Sequence, residues 1–300
     1  MSLSKIVVIG SSNTDMVIKT DKLPVPGETK LGGIFFMNAG GKGANQAVAV
    51  ERIGGNVTFV TKVGNDIFGK QAIAGFEKEN INTGYVFIDE EAPSGTALIM
   101  VNDQGENCIA VAPGANANLL PSDIEKVKNI SSAEIILMQL EIPIETISSV
   151  IKNAKANRQK VILNPAPAQK LDNSLLCGLF MITPNETEAY FLTGIKVFDE
   201  VSASQAAGVF ISNGVQNVVI TMGTSGAYIF SDRISKMVPV NPVKAVDTTA
   251  AGDVFNGALA VAISEGKDIE EAVSFANKAA AISVTRIGAQ CSVPYRKEIV

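Results

Sequence analysis

From Pro121 to the C-terminus, short apolar runs alternate with stretches of helical period. That alternation constrains the fold more than any other feature of the chain. The runs EIILMQ (134–139), KVIL before the Pro-broken NPAP loop, LFMIT (179–183) and NVVITMG (217–223) are apolar at consecutive positions. Strands buried on both faces have that pattern. Between the first two runs, Ile144, Ile147, Val150, Ile151 and Ala154 recur on one helical face. Further helices are expected at about 122–128 and 201–213, after the TPNETEA string, and late in the chain at about 252–265 and 269–285. Strands and helices in alternation with short joints predict an α/β fold, a mainly parallel sheet with helices on both faces.

The N-terminal part follows this scheme only in places. KIVVIG (5–10) reads as a first buried strand, followed by a helix at about 44–52, a strand at 57–63 and a helix at about 68–79. Four short segments do not fit: MVIKT (16–20), GIFFMN (33–38), TALIMVN (96–102) and CIAVAP (108–113). The last two flank the polar stretch 103–107, a good hairpin loop. We read the four as a small separate sheet inserted, at about 14–40 and 95–113, into one domain spanning 1–300.

Composition removes several classes of function. The 25 Lys and Arg against 30 Asp and Glu leave a net charge of −5, which argues against nucleic acid as the main partner. There is no histidine, so Ser-His-Asp and Cys-His machinery and His-ligated metals are absent. Cys108, Cys177 and Cys291 are widely spaced and odd in number, as expected of reduced thiols rather than a disulfide framework. No apolar run approaches the ~20 residues of a membrane span. Residues 1–5 lack a hydrophobic signal region, so the expected location is the cytoplasm.

Four constellations carry candidate chemistry. The first is Asn38-Ala39-Gly40-Gly41-Lys42-Gly43-Ala44-Asn45-Gln46-Ala47, a glycine cluster opening a helix. Its backbone could approach a ligand closely, with Lys42 and Asn45 facing it. It matches neither the P-loop nor the dinucleotide fingerprint, and a plain helix start remains an alternative. The second is the run from Val246 to Ala258, where small residues lead into a helix with Asp253 in its first turn and Asp247 six positions earlier. Backbone N–H groups of Ala250, Ala251, Gly252 and Asp253 would form an anion hole suited to a phosphoryl group. Capping alone would also explain such an Asp. The third is Thr183-Pro184-Asn185-Glu186-Thr187-Glu188, whose Asn185 and Glu188 suit either Mg²⁺ through water or a capping box. The fourth is the glycine turn Thr221-Met222-Gly223-Thr224-Ser225-Gly226. The third, the fourth and the pair Asn13/Asp15 all follow strands, where ligands of open α/β sheets bind.

In this order and spacing the motifs resemble the ribokinase branch of the carbohydrate and nucleoside kinase family typified by the minor phosphofructokinase. The strings GGKGANQA, NPAPA, TPNETEA and VDTTAAGDVFNGAL carry the resemblance, which runs from the first strand to Val293-Pro294. It implies a Rossmann-like domain with a four-stranded lid that doubles as a homodimer clasp. It also implies transfer of the ATP γ-phosphoryl group to the 5-hydroxyl of D-ribose. By resemblance, Asp253 is the catalytic base beside the Ala250–Gly252 hole. Asn13, Asp15, Gly41, Lys42, Gly43, Ala44, Asn45 and Glu141 match sugar-binding positions. Asn185, the turn from Thr221 to Gly226, and Gly252 match nucleotide positions. Asn277 stands where some members have a histidine near adenine. Glu188 matches the glutamate tied to Mg²⁺; Asp247, Thr249, Ser283, Arg286, Gly288 and Ser292 match a loop that binds K⁺. The alternatives are a kinase of this family for 2-deoxyribose, fructose, a ketodeoxy acid or adenosine, and a non-catalytic sugar-binding protein on the same fold.

Overall fold

The computed structural model describes residues 5–128 and 130–299. The segment 1–4, in which a signal region was sought, lies outside the described residues. The chain begins with β1 (Ile6–Ile9) and passes directly into β2 (Asn13–Lys19) and β3 (Ile34–Gly40). Then come α1 (Lys42–Arg52), β4 (Val57–Gly64), α2 (Ile67–Lys78), β5 (Val86–Asp89), β6 (Gly95–Val101) and β7 (Asn107–Ala112). The regular half follows: α3 (Pro121–Ile124), β8 (Ile135–Met138), α4 (Ile144–Ala156), β9 (Lys160–Leu163), α5 (Asn173–Leu176), β10 (Met181–Ile182), α6 (Glu186–Thr193), α7 (Glu200–Ser212) and β11 (Asn217–Thr221). A hairpin, β12 (Ala227–Ser231) and β13 (Ser235–Val238), precedes α8 (Ala251–Ser264), α9 (Ile269–Ser283) and α10 (Arg296–Ile299).

Nine strands form the main sheet, in the order β13-β12-β11-β10-β9-β8-β1-β4-β5. All pair in parallel from β5 to β11, while β12 and β13 are antiparallel at one edge. The sheet separates two apolar cores. Ile6, Val8, Ile135, Leu137 and Val219 face one core with α1, α8 and α9; Val7, Ile9, Ile136, Met138, Val218 and Ile220 face the other with α4 and α7. Alternate residues of one strand enter different cores, which is why these strands are apolar without interruption.

The four segments that broke the pattern form a second sheet, in the order β3-β2-β6-β7. Its central pair β2–β6 is parallel, and each partner has an antiparallel neighbour on its outer side. Three details differ from the sequence reading. The helix expected at 122–128 stops at Ile124, because Lys126 and Val127 donate to Asp123 and Ile124 and the coil tightens into turns. The strand expected at 179–183 is laddered only over Met181–Ile182. The edge strands β5 and β13, which need less apolar surface, were not expected, nor was β12, whose Ala227, Tyr228 and Ile229 are buried between β11 and β13. Cys108, Cys177 and Cys291 are free and exposed. Among the described residues no helix is long and apolar enough to cross a membrane.

Candidate active site

Motifs far apart in sequence meet at the C-terminal ends of the parallel strands. Chain order reverses across β1, between β8 and β4, and such a switch point opens a crevice. The chain leaves β1 through Ser11 and Ser12 into the second sheet, so Asn13 sits at the junction of the two sheets. In register it pairs with Gly40 and with Gly95. Both glycines clear room for polar side chains. A Cβ on Gly40 would lie 2.2 Å from the Asp15 carboxylate, and one on Gly95 would lie 2.2 Å from Asn13 Oδ1. Asn116, which the sequence reading did not single out, holds this corner. Its Nδ2 donates to Asn13 Oδ1 (2.8 Å) and its Oδ1 accepts from the Ser12 N–H (2.9 Å).

Helix α1 begins at the glycine cluster, with Gly41 at φ 87°, a conformation open to glycine at little cost. Part of its N-terminal donor set is already used inside the protein. Glu141, after β8, accepts the Lys42 N–H (3.0 Å) and the Ser11 hydroxyl, while Ala44 N–H donates to Ser11 O (2.9 Å). Gly43 is required by packing: a Cβ there would stand 2.5 Å from backbone atoms of Gly10 and Ser11. Asn45 points across to α8, where its Nδ2 donates to Asp253 Oδ2 (2.9 Å). Its own Oδ1 is buried with no protein partner.

Asp253 is buried and does not cap its helix. The carboxylate turns toward α1, where Gln46 Nε2 donates to Oδ1 (3.0 Å) opposite the Asn45 bond. Burial pushes its pKa up, and Lys42, Asn45 and Gln46 pull against that. Asp15 is raised to about 6 by burial and by the charges of Glu141 and Asp253, with Lys42 opposing. Burial alone would lower the Lys42 ammonium, but Asp253, Glu141, Glu188 and Asp15 outweigh it and hold the pKa above the usual range. One cation thus serves a cluster of four carboxylates.

The N-terminal turn of α8 enters through Ala250 in the left-handed region, at φ 60°. Ala251 N–H is engaged by Thr248 O (3.2 Å), whereas Gly252 and Asp253 follow as first-turn N–H groups without intrahelical partners. Asn185 and Glu188 form a capping box: Glu188 N–H donates to Asn185 Oδ1 (2.8 Å) and Asn185 N–H to Glu188 Oε2 (2.9 Å). Burial raises the Glu188 carboxyl, against the Asn185 N–H and Lys42. The turn from Thr221 to Gly226 lies against it, since Thr221 N–H donates to Pro184 O (2.9 Å) and Thr221 bridges Asn185.

The remaining loop lies beyond α8. Asp247 accepts the Thr249 and Gly288 N–H groups (2.9 and 2.8 Å), bonds that outweigh its burial and lower its carboxyl pKa. Val246 N–H and Asp247 N–H both donate to Val284 O, so this segment is stitched to the end of α9. Arg286 pairs with Glu298, and the Ser283 and Ser292 hydroxyls bond to carbonyls of their own turns. Asn277 donates to Val238 O (3.0 Å) and lines a cavity of about 380 Å³ with Pro239, Val240, Ser274 and Ile282. A second cavity, about 420 Å³, is lined by Asn13, Asn116 and Glu141. A larger hollow of about 830 Å³ opens at the other ends of the strands, beside Lys160 and Asn217, and contains none of the candidate residues.

Gln46, Gln139 and Asn164 are further members that the sequence reading passed over. Gln46 lies inside the glycine-cluster string and Asn164 inside NPAP, so motif membership was the available signal.

A family model described as "pfkB family carbohydrate kinase" matches residues 3–296. The ribokinase of Haemophilus influenzae is 43% identical, over 98% of this chain and 96% of its own. A deoxyribokinase of Salmonella typhi is 40% identical, over 96% and 95%. The structure of Arabidopsis thaliana ribokinase complexed with ribose and ATP superposes with a TM-score of 0.91 at 34% identity, covering 98% and 96%. The strand-end crevice, the separate four-stranded sheet and the match over almost the whole length agree: this chain belongs to the pfkB family of carbohydrate kinases.

Proposed function

We propose that the protein transfers the γ-phosphoryl group of ATP to the 5-hydroxyl of D-ribose, with Asp253 as the base. The observation that carries this reading is the orphan Asn45 Oδ1 beside the Asp253 carboxylate. A buried acceptor without a donor is costly, and a sugar hydroxyl would supply the donor. Asp15 and Glu141 add acceptors at the same place, which suits a small polyhydroxy molecule. The named activities of the relatives support ribose, and the deoxyribokinase relative supports 2-deoxyribose as the second reading.

In this reading Asp253 orients the hydroxyl and takes its proton, while Lys42 offsets the charge of the carboxylates around it. Phosphoryl transfer has a loose transition state, so positioning and stabilisation of the equatorial oxygens matter more than early deprotonation. The Gly252 and Asp253 N–H groups face that charge. The triphosphate would lie along the turn from Thr221 to Gly226 and past Asn185, with adenine near Asn277. Glu188 fits a role toward Mg²⁺. It is a buried carboxylate with one oxygen committed to Asn185, and a lone carboxylate suits an ion held through water on phosphates. Bound there, Mg²⁺ would neutralise phosphate charge. K⁺ would lie by Asp247, Thr249, Ser283, Arg286, Gly288 and Ser292, largely on carbonyls. Its effect would be to steady the turn into α8.

The apolar outer surface of the lid supports a homodimer. Phe35, Met37 and Leu98, which the register puts on the face opposite Asp15, are exposed, and soluble monomers seldom leave such a face open. The test of the reaction is ATP consumption across a panel of sugars and nucleosides. D-ribose is expected to give the highest kcat/KM, and Asp253→Asn to lower kcat by about 10²-fold or more. A preference for 2-deoxyribose would transfer the assignment to the second reading, and near-normal kcat in Asp253→Asn would remove Asp253 as base.

A further inference from the structure

We propose that Gln46, locked in one orientation by Gln139, is a positioning residue that fixes how the Asp253 carboxylate is aimed and charged. The inference rests on the reading of Asp253 as the base. Gln46 and Gln139 are both fully buried. A carboxamide in such a place is costly unless its bonds are made, so its partners indicate its purpose. Gln46 Nε2 gives one hydrogen to Asp253 Oδ1 (3.0 Å) and the other to Asn164 Oδ1 (3.2 Å). Its Oε1 accepts from Gln139 Nε2 (2.6 Å). Asn164 is itself oriented, because its Nδ2 donates to Thr183 O (3.1 Å).

Reversing the Gln46 amide would set oxygen against oxygen at both Asp253 and Asn164, and nitrogen against nitrogen at Gln139. The chain of bonds therefore admits one orientation, with N–H toward the carboxylate. Gln139 is held at a cost. Its Oε1 has no partner and lies over Gly10, where a Cβ would come within 2.0 Å of it. A leucine there would leave no orphan oxygen, so packing alone does not account for the glutamine.

The charged groups acting on Asp253 are Lys42 from α1, Glu141 from the loop after β8, Asp15 from β2 and Glu188 from α6. The three carboxylates and burial favour the protonated acid, which could not act as a base. Lys42 and Asn45 oppose them, but the resemblance places both on the sugar. Gln46 is sealed from the crevice and can only donate at this position. Its contribution to the ionised form therefore stays constant through the reaction cycle.

The test compares wild type, Gln46→Met, Gln139→Met, the double variant and Asp253→Asn, with kcat, sugar KM and the pH profile of kcat as readouts. Gln46→Met is expected to lower kcat about tenfold and move the acid limb up by about one pH unit, the scale of one hydrogen bond to a charged group. The sugar KM should change less than about twofold, because Gln46 does not reach the crevice. Gln139→Met should act in the same direction, more weakly. The double variant should match Gln46→Met, since one pathway is broken once. If Gln46→Met does not fold, the acid limb of Gln139→Met decides. An unmoved acid limb in a folded variant, with Asp253→Asn inactive, overturns this inference alone. Near-normal kcat in Asp253→Asn overturns the base assignment and the inference with it.

Discussion

Replacing Asp15 by Asn should stabilise the protein while weakening its proposed hold on the sugar. Burial and the charges of Glu141 and Asp253 raise the Asp15 carboxyl from the usual 3.8 to about 6. At about 1.4 kcal/mol per pH unit this is worth about 3 kcal/mol, and because Asp15 is only half-buried, solvent screening reduces it to about 1–2 kcal/mol. The folded state binds the proton more tightly than the unfolded chain. Protonated Asp15 therefore contributes its stability fully below pH 3.8 and loses it as pH rises through about 6. The amide removes that loss. Urea unfolding should make Asp15→Asn more stable than wild type by about 1–2 kcal/mol at pH 8, with the gap closing as pH falls from 6 toward 4. Calorimetric titration should show sugar affinity reduced about tenfold or more, since a charged acceptor becomes a neutral one. A variant less stable than wild type at pH 8, or a gap independent of pH, would refute the claim that this site stores electrostatic strain for its ligand.

Gly43→Ala should cost about 1–3 kcal/mol in unfolding free energy, because the new Cβ meets the backbone of Gly10 and Ser11 and no side-chain rotation relieves it. A melting temperature equal to wild type would show that α1 can slide from the strand end. Asp247→Ala removes the acceptor of the Thr249 and Gly288 N–H groups. It should abolish activation by K⁺ while leaving residual turnover. Equal wild-type rates in K⁺, Na⁺ and tetramethylammonium at matched ionic strength would dismiss the cation. In the lid, Phe35→Asp with Leu98→Asp places charge at two side chains of one face, each 57% exposed, and should convert the proposed dimer to a monomer in light scattering. A wild-type monomer at micromolar concentration would count against the clasp.

The local code of this chain was legible before any coordinates. Uninterrupted apolar runs such as Ile135–Met138 announce strands covered on both faces, and the period of Ile144, Ile147, Val150 and Ile151 announces a helix lying on the sheet. The inserted sheet was also visible, because its segments broke the alternation. Backbone sterics and the burial of apolar surface act over a few neighbouring residues, so they leave a mark in the string of letters. What Asp253 does is not local. At a helix start it reads equally as a cap or as a base, and only the packing of α8 against α1 turns its carboxylate toward Asn45 and Gln46, more than 200 residues away in sequence. The same holds for the four carboxylates around Lys42, whose charges perturb one another only after β2, the end of β8, α6 and α8 bring them together. The resemblance puts Asp247 in an ion-binding loop, while the long-range part of its environment, the Gly288 N–H that one oxygen accepts beside the local Thr249 N–H, appears only in the fold. Strand order, which decides where the crevice opens, depends on which buried faces meet. Those encounters are long-range, and energies that arise only between distant segments leave no periodicity in either of them.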